Sequence, residues 1–247
     1  MEAPDAQPKK GLPWARFLVE GLVIVVSILL AFFVDTSWER AQQRDRERDY
    51  LLALEREFAA VESVLQGDLY LRPLVSGAVL KLILQVQGAE PAPEDSLFWW
   101  SAALSQQLEF DPPRAVLDDL VSSGETGLIS DSLRLALASY RSDLATQARR
   151  DEQAWAIWED RTQPLLEGRL PRADRLIRGT FGTRREVPFG LSRHPADWPG
   201  LLADPVFEDV LAERWMRLML ATVELRGIEV QVAAIAERIR TRLEALE

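Results

Sequence analysis

The chain has 247 residues, a formal net charge of −10 and no cysteine. Its length allows one sizeable hydrophobic core or two small ones. The absence of cysteine excludes disulfides, thiolate zinc sites and cysteine nucleophiles. The acidic balance argues against nucleic acid as a partner, because attraction to phosphate dominates that kind of binding.

The N-terminal region predicts a membrane anchor. Residues 1–13 contain three prolines and a glycine among polar residues, which indicates a short disordered tail. The apolar run 17–34 would span roughly 27 Å as a helix, close to the thickness of a bilayer core. Trp14 and Trp38 flank it as aromatic residues do at membrane interfaces, so we predict a transmembrane helix over 14–38. The alternative is a cleaved signal peptide, but the run is long for one and no small-x-small cleavage site follows it.

Three residues inside the run invite a functional interpretation. Glu20 lies about one turn from the N-terminal edge, where it either reaches the interface or contacts a partner helix within the membrane. Ser27 and Ala31 form a small-xxx-small pair, a common pattern that lets a second helix approach closely.

The distribution of basic residues does not decide the orientation of the anchor, because lysines and arginines flank both ends. A short tail usually stays in the cytoplasm, and long domains translocate whatever their charge. We therefore expect a cytoplasmic N-terminus and a large domain outside the cytoplasm.

The segment after the anchor predicts a helix that leaves the membrane without a break. Residues 39–50 are mostly polar with charges of both signs, which indicates a solvated stalk helix. Apolar residues at alternating spacings of three and four follow, and these predict a seam packed within a helical bundle. The seam residues are Leu51, Leu54, Phe58, Val61 and Leu65.

The remaining sequence, 51–247, predicts a helical bundle domain. We expect the first helix to end near Gln66, with Pro73 in the first turn of a second helix. A third helix is predicted over 96–108 with Asp95 and Ser96 as caps, and a fourth begins at the two prolines after Asp111.

Two long helices are predicted in the second half, over 131–162 with Asp131 as the cap and over 206–246. No strand signal of comparable length occurs. The predicted fold class is therefore all-α, with one N-terminal transmembrane helix that continues into an elongated antiparallel helical bundle.

Residues 164–205 differ from their surroundings, because they are rich in arginine, glycine and proline and lack periodicity. This composition predicts a long loop. Its arginines, which include Arg184 and Arg185, either contact head groups or an acidic partner or pair with carboxylates of the same domain.

The sequence shows no signature of a catalytic, cofactor-binding or metal site. His194 is the only histidine, and neither a P-loop nor a nucleophile elbow is present. Trp99 and Trp100 would point about 100° apart on a helix, so we expect at least one of them to be available to a partner or ligand.

Trp155 and Trp158 are three residues apart and would share one face of a helix. This spacing favours packing in the core, and the alternative is an aromatic cage for a small ligand.

Three segments resemble an uncharacterised family of bacterial single-pass membrane proteins with a domain of unknown function. The first is Glu20 followed by the apolar run 21–34 and Trp38-Glu39, and the second is the helix over 49–65. The third is the helix–SSG–turn–helix pattern over 117–140, whose matching residues are Leu117, Leu120, Ser123, Gly124, Leu128, Ile129, Leu133 and Tyr140. The sequence departs from the family pattern at Ser27 and at residues 35–37.

The resemblance implies a helical protein anchored in the bacterial inner membrane and implies no reaction. From the residues we expect a non-enzymatic interaction or scaffold module that oligomerises or binds other proteins through its bundle. The expected partners are the lipid bilayer and either a second copy or another membrane protein. The alternatives are a ligand-sensing extracytoplasmic domain and, less favoured, an enzyme.

Overall fold

The computed structural model describes residues 13–179 and 188–246. They divide into two compact units, one ending at Asp49 and the other comprising Tyr50–Glu247. Every regular element within these residues is helical, which confirms the all-α prediction. The predicted disordered tail lies outside the described residues except for Pro13, where the first helix begins.

Helix α1 extends over Pro13–Val86 and therefore crosses from the first unit into the second. The expected break between Gln66 and Pro73 is wrong, because Pro73 lies inside the helix. Proline removes one backbone hydrogen bond and disfavours a helix interior. Here buried side chains hold the helix on both sides of the proline, Leu65 about two turns before it and Val75 in the turn after it. Tertiary packing thus overrides the local preference.

Helix α2 (Glu94–Ala103) begins before the predicted residue 96 and ends before the predicted residue 108. Helix α3 (Ala115–Ser122) begins after the two prolines at which its start was predicted. Neither Asp95 nor Ser96 caps α2, whose N-cap is Pro93 and forms no side-chain hydrogen bond. The start of α3 is capped from another helix, because the Glu57 carboxylate accepts the backbone N–H of Val116 at 2.6 Å and of Leu117 at 3.1 Å.

Helix α4 (Asp131–Ala156) continues through a π-helical turn, Ile157–Thr162, into the single turn α5 (Gln163–Leu166). The predicted cap Asp131 is wrong by one residue, since the Ser130 side chain accepts the N–H of Leu133. Serine in extended conformation is well suited to that position.

The predicted loop over 164–205 contains two further short helices, α6 (Arg172–Arg178) and α7 (Trp198–Leu202). Buried Leu170, Trp198 and Leu201 attach this segment to the core, and sparse apolar residues of that kind give no periodic signal. Asp197 caps α7 by accepting the N–H of Gly200.

Helix α8 (Pro205–Glu244) matches the predicted last helix closely. Its cap is Asp204, which accepts the N–H of Val206 at 2.9 Å. That hydrogen bond and the nearby Arg169 lower the pKa of the Asp204 carboxyl.

The three long helices of the second unit are α4, α8 and the part of α1 after Tyr50. Hydrogen bonds from Gln66 to Glu229 and from Gln87 to Glu208 show that α8 runs antiparallel to this part of α1. The bonds joining Arg150 to Glu224 and Arg217 to Gln153 show that α8 is also antiparallel to α4.

Two hydrophobic cores fill the second unit. Core A contains the predicted seam residues of α1 together with apolar side chains of α3, α4 and α8. Core B contains Val75, Val79 and Leu82 of α1 with residues from α2, the segment around α5 to α7 and the first half of α8.

Candidate functional site

The apolar run lies within the first unit, and those of its side chains that the structure describes are exposed. An 18-residue window of the helix has a mean hydropathy of 2.1 and is 0% buried. By length and composition it is the one helix of the described residues that is able to cross a membrane.

Hydroxyl groups in and after this run are satisfied within the helix itself. Ser27 donates to the carbonyl of Val23 at 2.7 Å, and Thr36 and Ser37 donate to the carbonyls four residues before them. Such bonds remove the cost of an unpaired polar group in lipid. The chemistry of the segment therefore agrees with an apolar surrounding.

The predicted anchor residues that the structure describes are exposed on the helix surface. Ser27 and Ala31 line a shallow groove along the helix, together with Trp38, which is 66% exposed. Glu20 is also exposed. The side chain of Trp14 lies outside the described part of the chain.

The seam predicted on α1 is an internal surface. Leu51, Leu54, Phe58, Val61 and Leu65 are each at most 1% exposed. Phe58 packs against Tyr140 of α4 with ring centroids 5.3 Å apart. This seam holds the bundle together and is not available to another molecule.

A second apolar stripe, which the sequence analysis did not identify, lies on the outer face of α8. Its members are spaced 4-3-4-3-4 along the helix and are all exposed: Met216, Leu220, Val223, Gly227, Val230 and Ala234. We call this set the outward stripe. Val223 and Val230 are 63% and 70% exposed.

The outward stripe lies opposite the buried face of the same helix. At about 100° per residue, Leu225, Ile228 and Val232 of core A point to the other side of α8. The sequence does contain this signal, because α8 has two sets of apolar residues with helical spacing. Pooling them into one face conceals the exposed set.

Polar residues separate core A from core B on each of the three long helices. These residues are Arg72 of α1, Gln147 and Asp151 of α4, and Thr222 of α8, and all are buried. Arg72 donates to both oxygens of Asp151, at 2.7 and 3.0 Å. Asp151 also accepts from Gln147 and from the backbone N–H of Phe110.

Burial and mutual contact shift the pKa values of Arg72 and of Asp68, which lies one turn before it on α1. Burial lowers the pKa of Arg72, but the hydrogen bonds and charges of Asp151 and Asp68 outweigh it and raise that pKa above its ordinary value. Burial raises the pKa of Asp68, and the charge of Arg72 opposes the effect. Arg72 therefore remains a cation, and carboxylates of the bundle pair with its charge.

Arg214 is a second buried arginine, and within the described residues it forms no salt bridge. It donates to the backbone carbonyls of Ala154 and Gln106. Burial lowers its pKa to about 10. Its contacts are those of a structural tie between α8, the end of α4 and the segment after α2.

The predicted tryptophan contacts are divided between surface and core. Trp99 is 36% exposed, whereas Trp100 is partly buried against core B with the Lys81 ammonium 5.6 Å from its ring centroid. Trp155 and Trp158 lie 6.3 Å apart at the edge of the same core. Packing explains this pair, as its spacing favours.

The arginines of the 164–205 segment pair in part with carboxylates of the same chain. Arg169 contacts Asp204 at 2.8 Å, and Arg178 lies 3.1 Å from Glu94 and 3.3 Å from Asp95. The predicted contact residues Arg184 and Arg185 lie outside the described residues.

No group of three or more histidine, aspartate or glutamate side chains with metal-binding geometry is found among residues 13–179 and 188–246. His194 is exposed and lies beside Arg172 and Arg175 at a surface cavity. No family model, curated protein or solved structure matches this chain.

Proposed function

We propose that this chain is a membrane-anchored, non-enzymatic interaction module that associates with a second copy of itself through the outward stripe of α8. The observation that carries the proposal is the exposed 4-3-4-3-4 spacing of apolar residues on that helix. This is the spacing with which two helices pack side by side.

The anchor supports association between copies of the same chain. Helix α1 contains an exposed apolar run long enough for a bilayer. Copies held in one membrane meet at a higher effective concentration than free molecules, so a modest contact surface suffices.

The composition of the outward stripe supports a helix as its occupant. Gly227 and Ala234 alternate with larger residues, and a Cβ added at Gly227 would meet no atom within 4 Å. Small residues of this kind allow the backbone of a second helix to approach closely.

The charges that flank the middle of the outward stripe favour a parallel pair. Residues beside a heptad seam meet those of the partner helix and set its direction. In a parallel pair Arg226 of one copy lies near Gln231 of the other, which brings no like charges together. In an antiparallel pair centred on the stripe, Glu224 would lie near Glu224 of the other copy, and Arg226 near Arg226. Like charges would therefore meet.

We place the anchor in the bacterial cytoplasmic membrane, with the N-terminus inside and the second unit outside the cytoplasm. Support comes from the rule that long domains translocate whatever the charge beside the anchor, and from the family resemblance of the anchor.

Disulfide cross-linking tests the proposal directly, because the chain contains no cysteine and an introduced one reports only its own position. We expect purified full-length Val223→Cys in detergent to form a covalent dimer under mild oxidation, since Cα atoms within about 7 Å can be bridged. Ala138→Cys, which is exposed on α4 and not on the helix that contains the stripe, is the matched control and should remain monomeric.

The direction of pairing is read from two further variants. Met216→Cys should cross-link to itself, as a parallel pair requires. Cross-linking only in a mixture of Met216→Cys and Ala234→Cys would show an antiparallel pair. That result would support contact through the outward stripe and contradict the parallel direction.

A charge in the stripe gives an independent measurement. Val223→Glu should abolish the dimer seen by sedimentation in detergent, and Ala138→Glu should leave it intact. A wild-type chain that is monomeric at micromolar concentrations, or equal cross-linking at residues 223 and 138, would overturn the proposal.

A further inference from the structure

Residues next to α6 enclose a cavity of about 310 Å³ that is separate from the outward stripe. The side chains of Arg172, Arg175 and His194 line it, together with Gln163, Glu167 and Ser192. Its volume is at the lower end of the range for small-ligand sites. Polar groups therefore converge on a space that can hold a small molecule.

The cavity is locally basic in an acidic chain. Two arginines face one carboxylate, Glu167, and one oxygen of that carboxylate accepts a hydrogen bond from Gln163 at 3.1 Å. Arginine guanidinium groups bind the oxygens of phosphate or carboxylate in pairs of parallel hydrogen bonds. The balance of charge favours an anion.

Arg175 differs from two other arginines of the 164–205 segment. Arg169 and Arg178 form salt bridges, whereas Arg175 forms none within the described residues. Its Nε is buried and has no hydrogen-bond acceptor there. Burial and the charge of Arg172 both lower its pKa, so a bound anion would relieve an unfavourable surrounding.

The cavity is held to the rest of the fold by contacts with buried residues. The guanidinium carbon of Arg175 lies 5.9 Å from the ring centroid of buried Trp158. Buried Asp174 accepts the backbone N–H of Ser192 at 2.6 Å, which ties residues 192–195 to α6. Arg175 and the chain that contains His194 are thus positioned before any ligand arrives.

We infer that this cavity binds a phosphate group, presented either by a small soluble phosphate or by the head group of an anionic phospholipid, with Arg175 and Arg172 as the principal donors. Two guanidinium groups can each donate to different oxygens of one phosphate, whose tetrahedral centre presents more oxygens than a planar carboxylate does. This holds for a phosphodiester head group as well as for a monoester, which adds a second negative charge.

Calorimetry on the full-length chain in a neutral detergent tests the inference. We expect saturable binding of inorganic phosphate or glycerol 3-phosphate, or of dihexanoyl phosphatidylglycerol. The soluble compounds and the lipid separate the two sources of phosphate, and dihexanoyl phosphatidylcholine serves as the zwitterionic reference.

Arg175→Gln should weaken binding by about ten- to one-hundred-fold, the range for losing a hydrogen bond to a charged group. Arg178→Gln is the matched control. It removes the same charge three residues further along the chain, from a guanidinium group that is already paired with Glu94. Its affinity should stay within about two-fold of wild type, a change that corresponds to less than 1 kcal/mol.

Two results would overturn anion binding at this cavity, and a third would overturn the choice of phosphate. One is the absence of saturable binding to every phosphate compound at millimolar concentration and low salt. The other is an equal loss of affinity in Arg175→Gln and Arg178→Gln, which would indicate general charge attraction. Succinate binding more tightly than phosphate would overturn the choice of phosphate as the ligand group. None of these results depends on whether the outward stripe forms a dimer.

Discussion

At the scale of single residues, the contact between Arg72 and Asp151 is the most consequential polar interaction of the bundle. Both side chains are nearly inaccessible, at 1% and 4% exposure. A buried charge that loses its partner destabilises a protein far more than a surface charge does. The pair therefore makes the relative positions of α1 and α4 sensitive to one substitution.

We expect Asp151→Ala to lower the free energy of unfolding by about 3–5 kcal/mol, because Arg72 would remain buried without its carboxylate. Chemical denaturation of the full-length chain in detergent measures this loss. The double variant Arg72→Met with Asp151→Leu should recover most of it, since a buried ion pair is often replaced by apolar residues at little cost.

A surface pair supplies the control for this substitution. Arg134 and Asp131 are also 2.7 Å apart, but the Asp131 side chain is 84% exposed. Asp131→Ala should change the stability by less than about 1 kcal/mol. Equal effects of the two single substitutions would show that the Arg72–Asp151 contact has no special role.

At the scale of elements, Pro73 disfavours a helix but lies inside α1. The ring is exposed, so its removal leaves no cavity. The carbonyl of Leu69 lacks the usual backbone donor four residues later, because proline has no N–H. The helix continues because the buried side chains on both sides contact other elements.

We expect Pro73→Ala to raise the free energy of unfolding by about 1–3 kcal/mol, since alanine restores the missing hydrogen bond and relieves the clash with the preceding turn. Thermal or denaturant unfolding provides the measurement. Pro205→Ala is the matched control, because proline in the first turn of α8 needs no donor and should give little change. Lower stability of Pro73→Ala would show that the packing depends on the distortion proline causes.

At the scale of the whole molecule, the exposed apolar run makes the chain a candidate for a membrane. The side chains that the structure describes in this run enter no core, and an apolar surface of this length is unfavourable in water. A bilayer would give these residues an apolar surrounding.

We expect the full-length chain to remain in the membrane pellet after washing with alkaline carbonate. Replacing Val26 and Leu29 with lysine should release it, because each lysine near the middle of the run costs about 2.5–3.5 kcal/mol of insertion free energy. The control replaces the same residues with leucine and isoleucine. A reporter fused after Glu247 should be active outside the cytoplasm, and activity only in the cytoplasm would contradict the proposed orientation.

The sequence alone determined the helical class, the long apolar run and the residues of the seam. These properties depend on how apolar residues are spaced over a few positions, and that spacing is visible in the sequence itself. The same reasoning locates α8 closely and α4 to within its π-helical turn. It failed at Pro73 and at the caps of α2 and α4, where neighbouring elements or a choice between adjacent residues decide the outcome.

Only the tertiary structure decided which apolar stripe is inside and which is outside. The seam of α1 and the outward stripe of α8 have the same spacing, yet one is buried and the other exposed. The tertiary structure also brings together Arg72 and Asp151, which are 79 residues apart, and places Glu57 at the start of α3. A sequence records the period of a pattern, but burial and pairing arise from the packing of elements far apart in the chain.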